Sequence, residues 1–206
     1  MARVPQDPQI RITAILDAAE YLFTAKGYSG TTICDIAKQM DVAQGMFYYY
    51  FKSKEEILES LLDRQMSYFI CKVKEMVNTS ITPSEKIGLL FQIVISNIHD
   101  KNEALLRIVQ DEQNLHIRAK IARQSKIALT PLILKIIEEG CIAQEFNVEH
   151  PQISLEYILF TKEFLINTYN VTPKELLSPS LRMAEAMIEK ILGAKEGTIH
   201  IILNKG

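Results

Sequence analysis

No stretch of this sequence is both long and apolar enough to cross a bilayer, which takes about 20 consecutive apolar residues. The opening, Met1 to Pro8, carries Arg3, Asp7 and two prolines where a secretory leader needs an apolar core, so no membrane partner and a cytoplasmic location are expected. Cysteine is scarce. Cys34, Cys71 and Cys141 are odd in number, widely spaced and free of C-x-x-C spacing, which gives neither a disulfide framework nor a zinc motif. They read as small buried hydrophobes, with no adjoining basic cluster to activate a thiol. An excess of one charge is also missing: the net charge is −2, so any surface for a polyanion must be local. Even residues 1–54 set only six basic side chains (Arg3, Arg11, Lys26, Lys38, Lys52, Lys54) against five acidic ones (Asp7, Asp17, Glu20, Asp35, Asp41). Catalytic signatures are absent as well: there is no G-x-S-x-G, no phosphate-binding glycine loop and no H-E-x-x-H. Enzyme function, a catalytic residue and a cofactor are therefore not assigned.

What is present is helical periodicity. Hydrophobic residues at 48% and charged residues at 23% give the balance of a soluble protein with a packed core, and 206 residues accommodate a small domain fused to a larger one. Apart from the short tail Thr198 to Leu203, no segment alternates like a strand, and no repeat or low-complexity segment is found, so the fold class is all-α. Ile12, Ile15, Leu16, Ala19, Leu22 and Phe23 form one stripe of a first helix that stops at Lys26-Gly27. Thr31 and Thr32 open a second helix of about two turns, carrying Ile33, Ile36, Ala37 and Met40 and closed by Asp41. A third, Gln44 to Phe51, is no longer than two turns. Ser53 and Glu56 then form an S-x-x-E box before a long fourth helix from Lys54 to about Asn78.

Proline punctuates the remainder. Thr82-Pro83, Thr172-Pro173 and Ser178-Pro179 each place proline at a first helical position, and Glu85 and Glu175 complete capping boxes for the first two. Thr130-Pro131 either begins a helix ending at Gly140 or kinks a longer one from about Ile117. The division expected is 1–53 as a helix-turn-helix domain and 54–206 as a larger helical domain.

Two short helices joined at Asp41-Val42 match a bihelical DNA-binding motif, whose second helix enters the major groove. Phe47 and Phe51 lie one turn apart and pin that helix to the core, leaving Gln44, Gly45, Tyr48 and Tyr49 outward. Residues 31–58, T-T-I-C-D-I-A-K-Q-M-D-V-A-Q-G-M-F-Y-Y-Y-F-K-S-K-E-E-I-L, preceded by A-A-E-Y-L-F-T-A-K-G-Y at 18–28, resemble the TetR family of transcriptional regulators. Four family elements stand in register: G-Y before the threonines, I-A in the first helix, G-x-x-Y-x-x-F in the second and K-S-K-E after it. The resemblance implies a transcriptional repressor bound to double-stranded operator DNA. Thr31, Thr32 and Lys54 would meet phosphate at helix N-termini; Tyr48, Tyr49, Tyr50 and Lys52 would position the backbone; and Gln44, Gly45 and either Met46 or Tyr49 would face base edges, Gln44 hydrogen-bonding adenine. Asp41 replaces the family's turn glycine and tolerates a left-handed conformation, whereas Ala43 replaces the usual capping hydroxyl and leaves the reading helix less firmly started.

For the larger domain the resemblance implies a homodimer through the two C-terminal helices, one around Ile153 to Ile166 and the other from Leu181 to Leu192. It also implies a small-molecule effector, apolar or amphipathic because basic residues are sparse here, with Met66, Phe69, Phe91, Ile95 and Phe164 as lining. Ordinary core packing explains the same five residues. Two other classes compete: a helical metal protein, since Glu112 and His116 have i, i+4 spacing, and a dimeric adaptor that keeps the fold without reading DNA, motivated by the low basic charge and Ala43. No metal site is assigned.

Overall fold

The computed structural model describes residues 7–99, 103–168 and 172–202. Among these are nine α-helices: α1 (Pro8–Lys26), α2 (Ile33–Gln39), α3 (Phe47–Tyr50), α4 (Lys54–Val77), α5 (Pro83–His99), α6 (Glu103–Gln110), α7 (Leu115–Ile142), α8 (Pro151–Thr168) and α9 (Lys174–Leu192). Single 3-10 turns, Gln44–Met46 and Glu112–Asn114, precede α3 and α7. Arg3 and Leu203, named above, lie outside the described residues.

The chain forms two compact units: Met1–Met66 with Glu103–Ile121, and Ser67–Asn102 with Ala122–Gly206. This differs from the expected division at 53/54. In the first unit the stripe Ile15, Leu16, Ala19, Leu22 and Phe23 of α1 packs with Ile36 and Ala37 of α2, with Phe47 and Phe51, and with Ile57, Leu58 and Leu61 of α4. Leu105 and Ile108 of α6 and Ile117 of α7 close the same core, so burial recruits residues far along the chain that no local pattern marks as belonging to the head. Arg64 ties α4 to α1, donating at 2.7 Å to both Asp17 and Glu20.

In the second unit α8 packs on α5 and on α9. Its core includes Phe69, Ile70 and Val73 of α4, Phe91 and Val94 of α5, Leu129 and Ile133 of α7, Leu155 and Ile158 of α8, and Leu181 and Ile188 of α9. The Thr82 box at the start of α5 is formed: the Thr82 amide donates to Glu85 Oε2 at 2.8 Å, and the Glu85 amide to Thr82 Oγ1 at 3.2 Å.

Two prolines behave otherwise than the sequence suggests. Ser178-Pro179 starts no helix, because Pro179 lies inside α9. Pro173 rather than Thr172 caps α9, and the Thr172 hydroxyl donates to the Thr168 carbonyl, so no box forms with Glu175. Pro131 lies inside the 28-residue α7, which settles the Thr130 ambiguity in favour of one long helix. In both cases the carbonyl deprived of its amide, Ile127 or Glu175, belongs to an exposed residue where water can replace the bond. The cysteines also depart from expectation. None is buried: Cys71 is exposed, and Cys34 and Cys141 are half-buried.

The tail beyond α9 alternates as its sequence suggests, and among the described residues no strand pairs with it. Gly193 ends the helix in the left-handed region, φ 58°. Ile199 and Ile201 are buried while His200 and Ile202 face solvent. Glu189 Oε1, itself buried, accepts from the amides of Thr198 at 2.8 Å and Ile199 at 2.9 Å, and Glu185 Oε1 accepts from Ile201 at 2.6 Å. The His200 carbonyl lies where a Cβ on Gly88 would stand, only 2.3 Å away, so α5 needs glycine at that point.

Candidate DNA-reading site

The reading segment is built by the two short helices of the first unit. Thr32 caps α2 with a complete capping box: its hydroxyl accepts from the Asp35 amide at 3.1 Å, and the Asp35 carboxylate accepts from the Thr32 amide at 2.8 Å. The Thr32 hydroxyl also donates to Asp35 Oδ2 at 2.5 Å, and that bond, with the one from the Thr32 amide, holds the Asp35 carboxyl below its ordinary range. After α2 the chain turns through Asp41 at φ 53°, the left-handed conformation aspartate tolerates, and the Val42 amide donates back to the Ala37 carbonyl at 3.1 Å. Ala43 then offers no side-chain acceptor, and the first turn is 3-10 rather than α. The missing cap and the tightened turn are one fact seen at two levels.

Orientation comes from Phe47 and Phe51, both buried, with Phe47 fully so. They fix the opposite face outward: Tyr48 is 56% and Tyr49 81% exposed, and Gln44 and Gly45 are exposed beside them. Met46 and Tyr50 are half-buried against the core, and the Tyr49 and Tyr50 rings meet edge to face at 4.9 Å. A Cβ added to Gly45 would meet nothing within 4 Å, so no packing within the chain demands glycine there. Lys52 is exposed, and its amide donates to Glu56 Oε2 at 2.6 Å, while the Glu56 amide donates to Ser53 Oγ at 3.1 Å. The cap before α4 is therefore formed with its return bond shifted one residue upstream.

Two expected phosphate contacts are placed differently. Thr31 is fully buried, and its hydroxyl is engaged by the Gly27 carbonyl at 2.8 Å and the Leu22 carbonyl at 3.2 Å. Lys54 turns inward: Nζ donates to the Tyr28 carbonyl at 2.7 Å and the Thr31 carbonyl at 2.9 Å, and lies 4.3 Å from the Tyr28 ring centroid. Partial burial pushes its ammonium pKa down. Both residues thus close the α1–α2 link, leaving Thr32, Gln44, Gly45, Tyr48, Tyr49 and Lys52 as the outward set.

The other candidates separate as well. Phe69, Phe91 and Ile95 are buried in the second unit, Met66 is half-buried in the first, and Phe164 is 50% exposed on α8. Glu112 lies in a 3-10 turn ahead of α7 rather than on one helix face with His116, and His116 Nε2 meets Glu55 Oε1 at 2.6 Å. Among the described residues no group of three or more His, Cys, Asp or Glu is placed to hold a metal ion. Among them, too, no helix is long and apolar enough to cross a membrane.

A capped helix, a left-handed turn and a two-turn segment pinned by paired phenylalanines with its polar and aromatic face outward define a helix-turn-helix DNA-binding head on an α-helical body. Residues 15–61 match the family model for bacterial regulatory proteins of the tetR family. The chain is 38% identical over 184 residues to the fatty acid metabolism regulator protein of Bacillus subtilis strain 168, covering 86% of this chain and 93% of that protein. It is 26% identical over 156 residues to the HTH-type transcriptional repressor KstR2 of Mycobacterium tuberculosis strain H37Rv, 72% of this chain and 78% of that one. The fold matches the Bacillus subtilis regulator FadR, solved in complex with stearoyl-CoA, with a TM-score of 0.65 and 26% identity over 91% of this chain and 99% of that one. The chain belongs to the TetR family. It is a DNA-binding transcriptional repressor of that type, and the relatives are regulators rather than enzymes.

Proposed function

We propose that this chain is a homodimeric repressor of lipid-metabolism genes, held on operator DNA by two copies of the segment Gln44–Tyr50 and released by a long-chain acyl-CoA or its fatty acid. The observation that carries the effector class is the 38% identity across nearly the whole fatty acid metabolism regulator, together with a structural relative solved with stearoyl-CoA. Such a ligand is amphipathic, in keeping with a second unit whose buried residues are mainly apolar. Within the head, Thr32, Tyr48, Tyr49 and Lys52 position the DNA backbone, and Gln44 and Gly45 face the bases.

The dimer is supported by apolar surface without cover. Ile153, Tyr157, Phe160 and Phe164 form one exposed stripe of α8, and Leu176, Met183 and Met187 one of α9. A second copy laid against both would bury them in a four-helix bundle, the arrangement that presents two readers about 34 Å apart to successive major grooves. Release then follows if the effector favours a dimer whose readers are spaced otherwise.

The test is operator binding to the DNA upstream of the chain's own gene, followed by fluorescence anisotropy. Saturable binding that stearoyl-CoA reverses and CoA alone does not is the expected result. Failure to bind that DNA, or binding indifferent to acyl ligands, would overturn the reading.

A further inference from the structure

Lys162 occupies the inward face of α8 among Leu155, Ile158, Leu159 and Leu165, and is only 6% exposed. Across from it Nζ lies 3.1 Å from Ser125 Oγ of α7, and Ser125 is buried too. Its ionic neighbour is Glu163 at 3.5 Å, the next residue in the chain, whose carboxylate reaches solvent. The second buried lysine of this unit makes the contrast: Lys86 Nζ sits 2.6 Å from Glu139 Oε2, a close counterion. Lys162 has none at that distance, and desolvation pushes its pKa down.

An ammonium carries three donors and a serine hydroxyl one. Ser125 accepts from Lys162, while its own hydroxyl hydrogen has no acceptor among the described residues, and neither has the third Lys162 donor. Two donors left unspent inside an apolar interior are costly, and a leucine or methionine at 162 would fill the same space without that cost. An incoming oxygen with negative character would take both donors at once.

Building on the acyl-effector reading above, we infer that Lys162 and Ser125 are the polar anchor for the acyl oxygen of the effector, whether the carboxylate of a fatty acid or the thioester carbonyl of its CoA ester. The anchor fixes the head of the chain between α7 and α8, and the apolar residues beside it receive the hydrocarbon. It also supplies the basic group that a count of lysines and arginines alone passes over, since the sequence does not mark Lys162 as buried.

The test uses the full chain and its Lys162→Met and Ser125→Ala variants, titrated on operator with stearoyl-CoA, sodium stearate and CoA alone. Lys162→Met is expected to bind operator as the parent does and to melt no lower, yet to need about tenfold more acyl ligand for half-release, with Ser125→Ala needing about threefold more. Response of the parent to stearate, to stearoyl-CoA or to both identifies the oxygen recognised. If the parent responds and Lys162→Met responds equally, the anchor is refuted while the effector reading stands. If the parent ignores both acyl ligands, both fall. A Lys162→Met variant that melts lower and loses operator binding shows a structural lysine and overturns the anchor.

Discussion

Replacing Lys54 by methionine distinguishes an internal tie from a phosphate contact. The ammonium donates to the Tyr28 and Thr31 carbonyls at 2.7 and 2.9 Å and stands 4.3 Å from the Tyr28 ring. Hydrogen bonds to a charged group each net roughly 1.5–3 kcal/mol when buried, and an aromatic face adds about 0.5–1 kcal/mol. Lys54 is only partly buried, so water can replace part of each bond, and methionine keeps the packing of the stem. A loss of about 2 kcal/mol follows, a fall in melting temperature of roughly 4–8 °C for a chain of this size. Operator affinity falls along with the head's stability, but the salt dependence of binding stays as it was. Were Lys54 a phosphate contact instead, the melt would hold and the slope of log K against log salt would drop by about 0.9. Thermal unfolding followed by circular dichroism, with operator titrations at several salt concentrations, reads both quantities. An unchanged melt with a reduced slope would refute the assignment.

Four further outcomes are expected. Gly45→Ala meets no steric obstacle and should melt within about 1 kcal/mol of the parent, while weakening operator binding if, as proposed, Gly45 faces the bases; unchanged affinity in the titration would place Gly45 off the DNA. Ala43→Ser supplies the acceptor that the Gln44–Met46 turn lacks and should add about 1 kcal/mol, read as a raised midpoint in urea. Asp35 has a folded pKa held below its ordinary value by the Thr32 bonds, so its contribution is fully present above the unfolded value and is lost as pH falls through the folded one; Asp35→Asn should flatten this part of the acid-unfolding curve. Phe160→Glu places a charge in the exposed α8 stripe and should shift the chain from dimer to monomer in sedimentation velocity, with the operator affinity falling by at least about tenfold.

The reading segment is legible in the sequence because its cues are local. Phe47 and Phe51 are four residues apart and both buried, the Phe51 amide donating to the Phe47 carbonyl at 2.8 Å although Phe51 is itself the extended residue that ends α3, and Tyr48 and Tyr49 between them are carried outward. Asp41 and Ala43 announce the left-handed turn and the uncapped start by residue type. The roles of Thr31 and Lys54 are not legible. Lys54 reaches a carbonyl 26 residues away, and Thr31 one nine residues away, choices set by tertiary approach rather than periodicity. The same holds for Leu105, Ile108 and Ile117, which complete the head's core from a distant part of the chain. Pro179 reads as a helix boundary, and Pro131 as either a boundary or a kink, because proline removes an amide, but the loss is slight where the orphaned carbonyl is wet.

The C-terminal strap has a practical consequence for engineering this regulator. Cutting the chain ahead of Thr198 would leave Glu189 Oε1 with neither of its amide donors, so an interior carboxylate would lose its partners and α9, which carries part of the exposed apolar face, would loosen. Shortened versions should therefore associate more weakly even though no residue of that face has been removed. Reporter domains should not be substituted for this segment, and trimming intended to aid crystallisation should stop short of Ile201.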